Sequence, residues 1–183
     1  EIFVQALVNK NLKYKGSTCF SGKRVPSKKY KRRFEVDLIV LTKKQIHFLE
    51  VKNWSGELYP RKEKWVQKKR NGHEVEHPNL TRYNSIKTEV MIDYLASKGV
   101  SIDEGFVSQK VLFMNYNLQI HPQIKGDVNV IPIYRLDGYL KSQRGATLGE
   151  RMIHSVIETC LESEKSKIIL DGLFNSMQSN QVN

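Results

Sequence analysis

Three ionisable residues in two neighbouring apolar segments have the types and spacing that metal-assisted phosphate chemistry requires. Asp37 lies in the segment FEVDLIVL, and Glu50 and Lys52 lie two residues apart in the segment QIHFLEVKN. Two carboxylates can supply hard oxygen ligands to a divalent cation such as Mg²⁺. A lysine beside them can orient or activate a water molecule and stabilise charge on a phosphorus centre. The candidate catalytic residues are therefore Asp37, Glu50 and Lys52.

The two segments predict an antiparallel β-hairpin that would bring these residues together. Both are rich in β-branched and apolar residues, and only a short polar connection separates them. If Leu41 pairs with Ile46, Asp37 lies directly opposite Glu50. Because side chains alternate along a strand, the shared face is apolar near the turn and ionised at its far end.

Opposed carboxylates conflict unless something positive lies between them, since directly opposed Cβ atoms are about 4.5–5.5 Å apart. A divalent cation would resolve the conflict between Asp37 and Glu50. In the alternative interpretation, these residues have only a structural role. The same register puts Glu35 opposite Lys52 as a cross-strand ion pair, and Asp37 and Glu50 are then solvated at the sheet end. The apolar companions on that face and the basic flanking segments favour the active-site interpretation.

The charge distribution favours a polyanionic partner. The net charge is +11, and such a field attracts nucleic acid or an anionic surface. Two basic segments flank the hairpin, residues 10–33 and 61–70, and the first holds no acidic residue. Tyr30 lies within its most basic stretch, as in strips that contact a nucleic-acid strand. The residues expected to contact nucleic acid are Lys28, Lys29, Lys31, Arg32, Arg33, Lys68, Lys69, Arg70 and Arg82.

Other features limit the class of protein. No apolar run approaches the roughly 20 residues that a membrane-spanning helix needs. Cys19 and Cys160 are far apart and lie in no metal-binding spacing, so neither a zinc site nor a disulfide scaffold is expected. We therefore expect a non-secreted, intracellular protein of the nucleus or cytoplasm that does not associate with membranes. The oligomeric state is left open.

Periodicity and turn signals predict an α/β protein with a mixed β-sheet flanked by helices. Helices are expected at residues 1–11, at residues 80–95 with an end near 98–99, and from a capping box at Thr147 and Glu150 to Leu161. Strands are expected at residues 18–20, 34–41, 45–53, 110–115 and 128–134, with a short strand pair at 57–65. Residues 21–33 are expected to form a polar loop or hairpin tip. Pro132 places its strand towards a sheet edge.

The segments FEVDLIV and FLEVKNWSGEL, together with Glu1 and Trp65, resemble the nuclease-related domain (NERD), a branch of the PD-(D/E)xK nuclease superfamily. The resemblance covers about residues 1–95 and the strand near 110–115. It implies a restriction-endonuclease-like core over residues 1–116. Residues 117–183 are then expected to be an α/β extension packed on the same domain.

The resemblance also implies roles for individual residues. It implies Mg²⁺ or Mn²⁺ held by Asp37, Glu50 and the backbone carbonyl of Val51, with Lys52 serving the attacking water. Glu1 matches an acidic residue of the first helix that can complete the metal site. Val36 stands where the superfamily motif has proline.

The second helix departs from the family pattern at a position that bears on the site. A glutamine is common there, and the segment TRYN offers none; Arg82 or Asn84 is the candidate substitute. Trp54 is expected to pack the sheet end against this helix rather than stack on a base.

The leading hypothesis is a metal-dependent nuclease that hydrolyses phosphodiester bonds, in DNA rather than RNA, while basic residues hold the backbone without reading sequence. A nucleic-acid-binding module that keeps the fold without the activity is the alternative. A third interpretation is a domain that binds protein or an anionic membrane surface.

Overall fold

The computed structural model describes residues 18–142, 147–149 and 151–159. The predicted N-terminal helix, including Glu1, lies outside the described residues, as do Glu150 and Cys160. The strands are β1 (Thr18–Ser27), β2 (Arg32–Leu41), β3 (Ile46–Lys52), β4 (Glu57–Arg61), β5 (Lys64–Lys68), β6 (Glu74–Pro78), β7 (Val107–Phe113), β8 (Gln119–Ile120) and β9 (Val130–Pro132). The helices are α1 (Leu80–Ser97), α2 (Pro122–Lys125), α3 (Leu136–Lys141) and α4 (151–159). Short 3₁₀ turns precede β7 and α3.

The strands form two sheets, and the larger one carries the core. Its order is β1-β2-β3-β7-β9. The first two pairings are antiparallel, and β3-β7 and β7-β9 are parallel. The smaller sheet has the order β6-β5-β4-β8. The α/β prediction with a mixed sheet flanked by helices is therefore confirmed, and Pro132 does lie in the edge strand β9.

Helix α1 covers one face of the larger sheet. Its apolar residues Val90, Met91 and Leu95 pack with Ile39 of β2 and Phe48 of β3. The helix begins after Asn79, whose side chain accepts a hydrogen bond from the Arg82 N–H, and Gly99 just beyond it has φ 82°. Cap and glycine agree with the predicted limits of the helix.

The other face of the sheet is covered by the segment after β9. Leu136 and Leu140 of α3 pack against Leu38, Leu49 and Leu112 of the sheet. Residues beyond 116 thus add a strand and a helix to the same core. The proposed boundary between core and extension after residue 116 stays a prediction.

The predicted strand at residues 18–20 was too short, and the predicted loop at residues 21–33 was too long. Strand β1 runs from Thr18 to Ser27 and pairs along its length with β2, so only residues 28–31 turn. Gly22 and Pro26 read as loop signals, but β1 is an edge strand with a partner on one side only. An edge strand tolerates proline better than a central strand, because only one side of it must donate to a ladder. Gly22 has φ 58°, which glycine adopts without steric cost.

Among the described residues, no helix combines the length and apolarity needed to cross a bilayer. Cys19 is a free thiol whose pKa burial raises to about 12.

Candidate active site

The hairpin of β2 and β3 has the predicted register near its turn but not at its far end. Leu41 pairs with Ile46, and the ladder continues to Leu38 and Leu49. Beyond that pair the Asp37 carboxylate accepts a hydrogen bond from the Val51 N–H at 2.9 Å. A side chain thus takes the position of a backbone acceptor, and the strands separate where the ionised residues begin.

Strand β2 also changes the phase of its alternation at Asp37. Val36 and Ile39 belong to the same apolar cluster beneath α1, although residues three apart on a regular strand face opposite sides. In β1, Gly22 lies between the paired residues Ser21 and Lys23 with φ 58°. Asp37 lies at this irregularity and still faces β3, as expected, but regular alternation did not predict the irregularity itself.

The predicted pairing of Glu35 with Lys52 was wrong. Glu35 lies before the phase change and forms an exposed ion pair with Arg24 of β1 at 2.6 Å. Lys52 instead contacts Glu50 at 2.6 Å and Asp37 at 3.6 Å. The structural alternative based on a Glu35–Lys52 ion pair therefore does not apply.

A fourth charged side chain completes the cluster. Lys87 of α1 lies 2.5 Å from Glu50 Oε2 and 3.7 Å from Asp37 Oδ1. Asp37, Glu50 and Lys87 are each less than one-tenth exposed, and Lys52 is partly exposed. The charged cluster, by which we mean Asp37, Glu50, Lys52 and Lys87, is thus buried on one side and open at Lys52.

Sequence reasoning missed Lys87. The signal was a lysine within the apolar stripe of a helix, four residues after Tyr83 and four before Met91. A lysine there either reaches solvent along its stem or pairs with a buried acid. The sequence shows that Lys87 belongs to the apolar stripe of the helix. It does not show how close the helix lies to β3, so Glu50 could not be identified as the partner of Lys87.

The two residues proposed to replace the family glutamine lie elsewhere. Arg82 is exposed and contacts Glu63 at 3.3 Å. Asn84 is buried, and its Nδ2 donates to the carbonyls of Phe48 at 3.3 Å and Lys110 at 3.2 Å. Among the described residues, no hydrogen bond or ion pair joins either one to the charged cluster, and the charge that α1 contributes comes from Lys87.

Burial and charge act in opposite directions on the ionisable groups of the cluster. Burial raises the pKa of Asp37, and repulsion from Glu50 adds to this; the Val51 N–H and both lysines partly offset it. Burial lowers the pKa of Lys52, but its hydrogen bonds to the two carboxylates and their charges outweigh burial and raise it. The two carboxylates therefore favour the cationic form of Lys52 in this arrangement.

The donor set fits a small divalent cation. Each lysine ammonium lies within 4 Å of an oxygen of both carboxylates, so a single positive centre can reach Asp37 and Glu50 together. Among the described residues, no group of three or more His, Cys, Asp or Glu side chains is arranged to bind metal. Two carboxylates, a backbone carbonyl, water and substrate oxygens are what Mg²⁺ commonly uses.

The predicted nucleic-acid contacts fall into two regions and one isolated residue. Lys28, Lys29, Lys31, Arg32 and Arg33 are exposed at the β1–β2 turn, where Lys29 contacts Glu89 of α1 at 2.5 Å. Lys68, Lys69 and Arg70 are exposed at the end of β5, on the side of Trp54. Arg82 stands apart with Glu63. The predicted contacts thus form two separate exposed basic regions, one at the β1–β2 turn and one at the end of β5.

Trp54 packs within the protein, but its ring contacts are with strands β6 and β7 and not with the helix that was expected. Its ring stacks on His77 of β6 with centroids 4.0 Å apart and lies 5.9 Å from Phe113. Gly56 follows with φ 89°, and a Cβ there would lie 2.1 Å from the Lys68 carbonyl oxygen. Only glycine fits this turn, which joins the charged cluster to the smaller sheet.

Comparison with known proteins places the chain in a family. No curated protein and no solved structure matches it. A family model described as nuclease-related domain matches residues 1–114, which contain both the hairpin and α1. The chain therefore belongs to the nuclease-related domain (NERD) family.

Proposed function

We propose that this domain hydrolyses phosphodiester bonds in nucleic acid, in DNA rather than RNA, with Mg²⁺ or Mn²⁺ held by Asp37, Glu50 and the Val51 carbonyl. The observation that carries the proposal is the convergence of two buried carboxylates on shared cations, in a domain of the nuclease-related family. A bound divalent cation would supply Lewis-acid stabilisation of the phosphoryl charge.

The residues of the chain have distinct tasks in this proposal. The Val51 N–H fixes Asp37 Oδ2, which also faces Lys52, and the other oxygen of this carboxylate faces Lys87. Lys52 is the most exposed member and donates hydrogen bonds to the scissile phosphate or to the attacking water. Lys87 holds Glu50 from the helix side and fixes its orientation. These positioned charges act where water is largely excluded, and their electrostatic effect is correspondingly large.

Glu1 remains part of the proposal as a further acid of the site, on the strength of the family resemblance. Its position lies outside the described residues.

A second candidate function is a nucleic-acid-binding module without cleavage. The observation that favours it is the charge balance of the cluster, because Lys52 and Lys87 already neutralise both carboxylates. A metal must then compete with two ammonium groups. The exposed basic residues near the hairpin serve either function, since contacts to phosphates carry no sequence information.

Cleavage of labelled single- and double-stranded DNA and RNA with Mg²⁺, Mn²⁺ or EDTA tests the proposal. We expect metal-dependent cleavage by the wild type, and a loss of at least roughly 100-fold in Lys52→Ala and Asp37→Asn, as for removal of other transition-state stabilising groups. The matched control is Glu35→Gln, a carboxylate two residues from Asp37 whose partner is Arg24. It should cleave within about twofold of the wild type, because exposed ion pairs contribute little.

The outcomes separate the two functions. A wild type that binds these oligonucleotides but cleaves none, with or without metal, is a binding module. Cleavage that persists in Lys52→Ala and Asp37→Asn would place the active site elsewhere.

A further inference from the structure

Three parallel strands end side by side next to the charged cluster. Lys52 at the end of β3 pairs with Phe113 of β7, which pairs with Pro132 of β9. With about 4.8 Å between neighbouring strands, the row spans roughly 10 Å. The segments that leave these strands therefore emerge along one edge, which we call the carboxyl edge.

Two large aromatic rings stand exposed at the carboxyl edge. Tyr116 is 74% exposed and Tyr134 is 56% exposed, and their rings stack with centroids 6.4 Å apart and planes 24° apart. Among the described residues, Val128 is the one other large hydrophobic side chain exposed to this degree. The Arg135 guanidinium lies 6.0 Å from the Tyr134 ring. An exposed aromatic pair beside a cation has no role in the core, which makes it a candidate binding surface.

The tyrosines line depressions in the surface beside the carboxyl edge. A cavity of about 310 Å³ lies between Tyr116, Tyr134 and Lys125. Tyr116 also borders a second cavity of about 750 Å³, which Lys69 and Arg70 line on its far side.

A third cavity completes the path. It has about 590 Å³, and Lys69 and Arg70 line it together with Asn53 and Trp54. Asn53 and Trp54 follow Lys52 directly in the chain. The shared lining residues make the three cavities neighbours in a row, from the exposed tyrosines to the two residues that follow Lys52.

The charge along this path is strongly positive. Lys68, Lys69, Arg70 and Lys125 line the three cavities, and Glu57 is the one acidic residue among their lining residues. In the described part of the chain, neither Lys69 nor Arg70 forms a side-chain ion pair with an acid. These two cations are therefore available to an incoming polyanion.

We propose that the carboxyl edge binds single-stranded nucleic acid, with bases stacking on Tyr116 and Tyr134 and phosphates passing Lys69 and Arg70 towards Lys52. This inference rests on the proposed function for the identity of the polyanion, and it adds the strandedness of the substrate. Exposed rings offer a stacking surface to unpaired bases, whereas the bases of a duplex already stack on each other. Cationic grooves with exposed aromatic rings are the common means of binding single strands without sequence preference.

Binding measured in EDTA tests this inference apart from catalysis. The probes are fluorescein-labelled oligo(dT), oligo(U) and a DNA duplex of equal length, followed by fluorescence anisotropy. We expect the wild type to bind either single strand more tightly than the duplex. Tyr116→Ala and Tyr134→Ala should each weaken single-strand binding about 5- to 150-fold, the range for loss of a base-stacking ring, and change duplex binding little.

Matched variants distinguish stacking from a general effect on the fold. Tyr116→Phe and Tyr134→Phe keep the ring and should bind as the wild type does. Tyr59→Ala removes a tyrosine from β4 that lines none of the three cavities and should have no effect. Lys69→Gln and Arg70→Gln should each reduce the dependence of log K on log salt by about 0.7, the value for one phosphate contact on a single strand.

The outcomes are distinct from those of the cleavage assay. Single-strand binding that falls in the alanine variants supports the inference even if the wild type cleaves nothing. Equal affinity for single strand and duplex, or alanine variants that bind as Tyr59→Ala does, would overturn it even if cleavage is observed. A wild type that binds no oligonucleotide also overturns it and leaves a protein partner as the occupant of the edge.

Discussion

The two faces of β3 carry polar groups of opposite character. On the α1 face, Glu50 lies in the charged cluster, where each of two ammonium groups is within 4 Å of an oxygen of both carboxylates. On the other face, His47 is fully buried, and its Nδ1 contacts the hydroxyl of Tyr139 of α3 at 2.9 Å. That hydroxyl also contacts Ser108 of β7.

The difference separates a charged group that reaches solvent from a neutral group that is enclosed. The charges beneath α1 reach solvent through Lys52, and we expect a metal ion to be able to replace an ammonium group there. The neutral group around His47 joins α3 to the sheet, and burial lowers the pKa of the histidine to about 4, with the charge of Lys110 as a smaller cause. We expect substitutions on the α1 face to make the stability of the protein depend on metal. We expect the residues of the other face to make its stability depend on pH.

The largest expected effect is on the charged face. Lys87→Met keeps the apolar stem but removes the ammonium group that Glu50 and Asp37 share. Breaking a buried ion pair from one side costs about 3–5 kcal/mol, and the remaining contact with Lys52 places the expected loss near the lower value. Because a divalent cation can replace the lost charge, millimolar Mg²⁺ should restore stability to this variant more than it stabilises the wild type.

Denaturant unfolding in EDTA and in Mg²⁺ measures the effect of Lys87→Met. The control is Lys64→Met, which removes a lysine bonded to the exposed Glu76 at 2.6 Å and should cost less than about 1 kcal/mol with no metal dependence. Equal metal dependence in both variants would show that Mg²⁺ does not enter the cluster.

On the neutral face, His47 should make stability depend on pH. The unfolded chain takes up a proton as pH falls below 6.5, whereas the folded chain does so only near pH 4. Stability from this residue is therefore complete above pH 6.5 and is lost as pH falls to 4, with a total on the order of 3 kcal/mol.

Denaturant unfolding from pH 7 to 4 checks this expectation. His47→Gln should flatten that part of the profile, and His73→Gln, which alters an exposed histidine, should leave it unchanged. A profile that keeps its slope in His47→Gln would assign the dependence to other groups.

The smallest expected effect concerns the partner of His47. Tyr139→Phe removes the hydroxyl that contacts His47 and Ser108. Loss of a buried hydrogen bond that leaves its partner unsatisfied costs about 1–2 kcal/mol. The control is Tyr59→Phe, which removes a hydroxyl at the surface, and denaturant unfolding compares the stability of the two variants. Oligonucleotide cleavage should be equal in both. Reduced cleavage in Tyr139→Phe alone would mean that the two faces are coupled.

The sequence predicted the hairpin well, because its evidence is local. Alternating apolar residues and a short polar connection specify the register from Leu41 and Ile46 inwards. Asp37, Glu50 and Lys52 could be selected for the same reason, since all three lie on that hairpin. The proposed metal and the catalytic roles of these residues remain predictions.

The features that the sequence did not reveal depend on distant parts of the chain. Lys87 reaches Glu50 from 37 residues away, and no local pattern gives that distance. The division into two sheets depends on pairings such as β4 with β8, which close long loops. The extent of β1 was hidden because Gly22 and Pro26 act as breakers in most strands, and the position of β1 at the sheet edge makes the proline acceptable.

Asn84 affects the position of the charged cluster although it forms no hydrogen bond with it. Its amide nitrogen donates hydrogen bonds to carbonyls of two neighbouring strands, Phe48 in β3 and Lys110 in β7. These bonds hold α1 in one position along the sheet. A slip of one residue along α1 would displace Lys87 by about 1.5 Å and rotate it by about 100°, which would take its ammonium group off Glu50. Asn84 therefore helps to fix the position of Lys87 relative to Glu50, although its own side chain is neutral and lies one helical turn away.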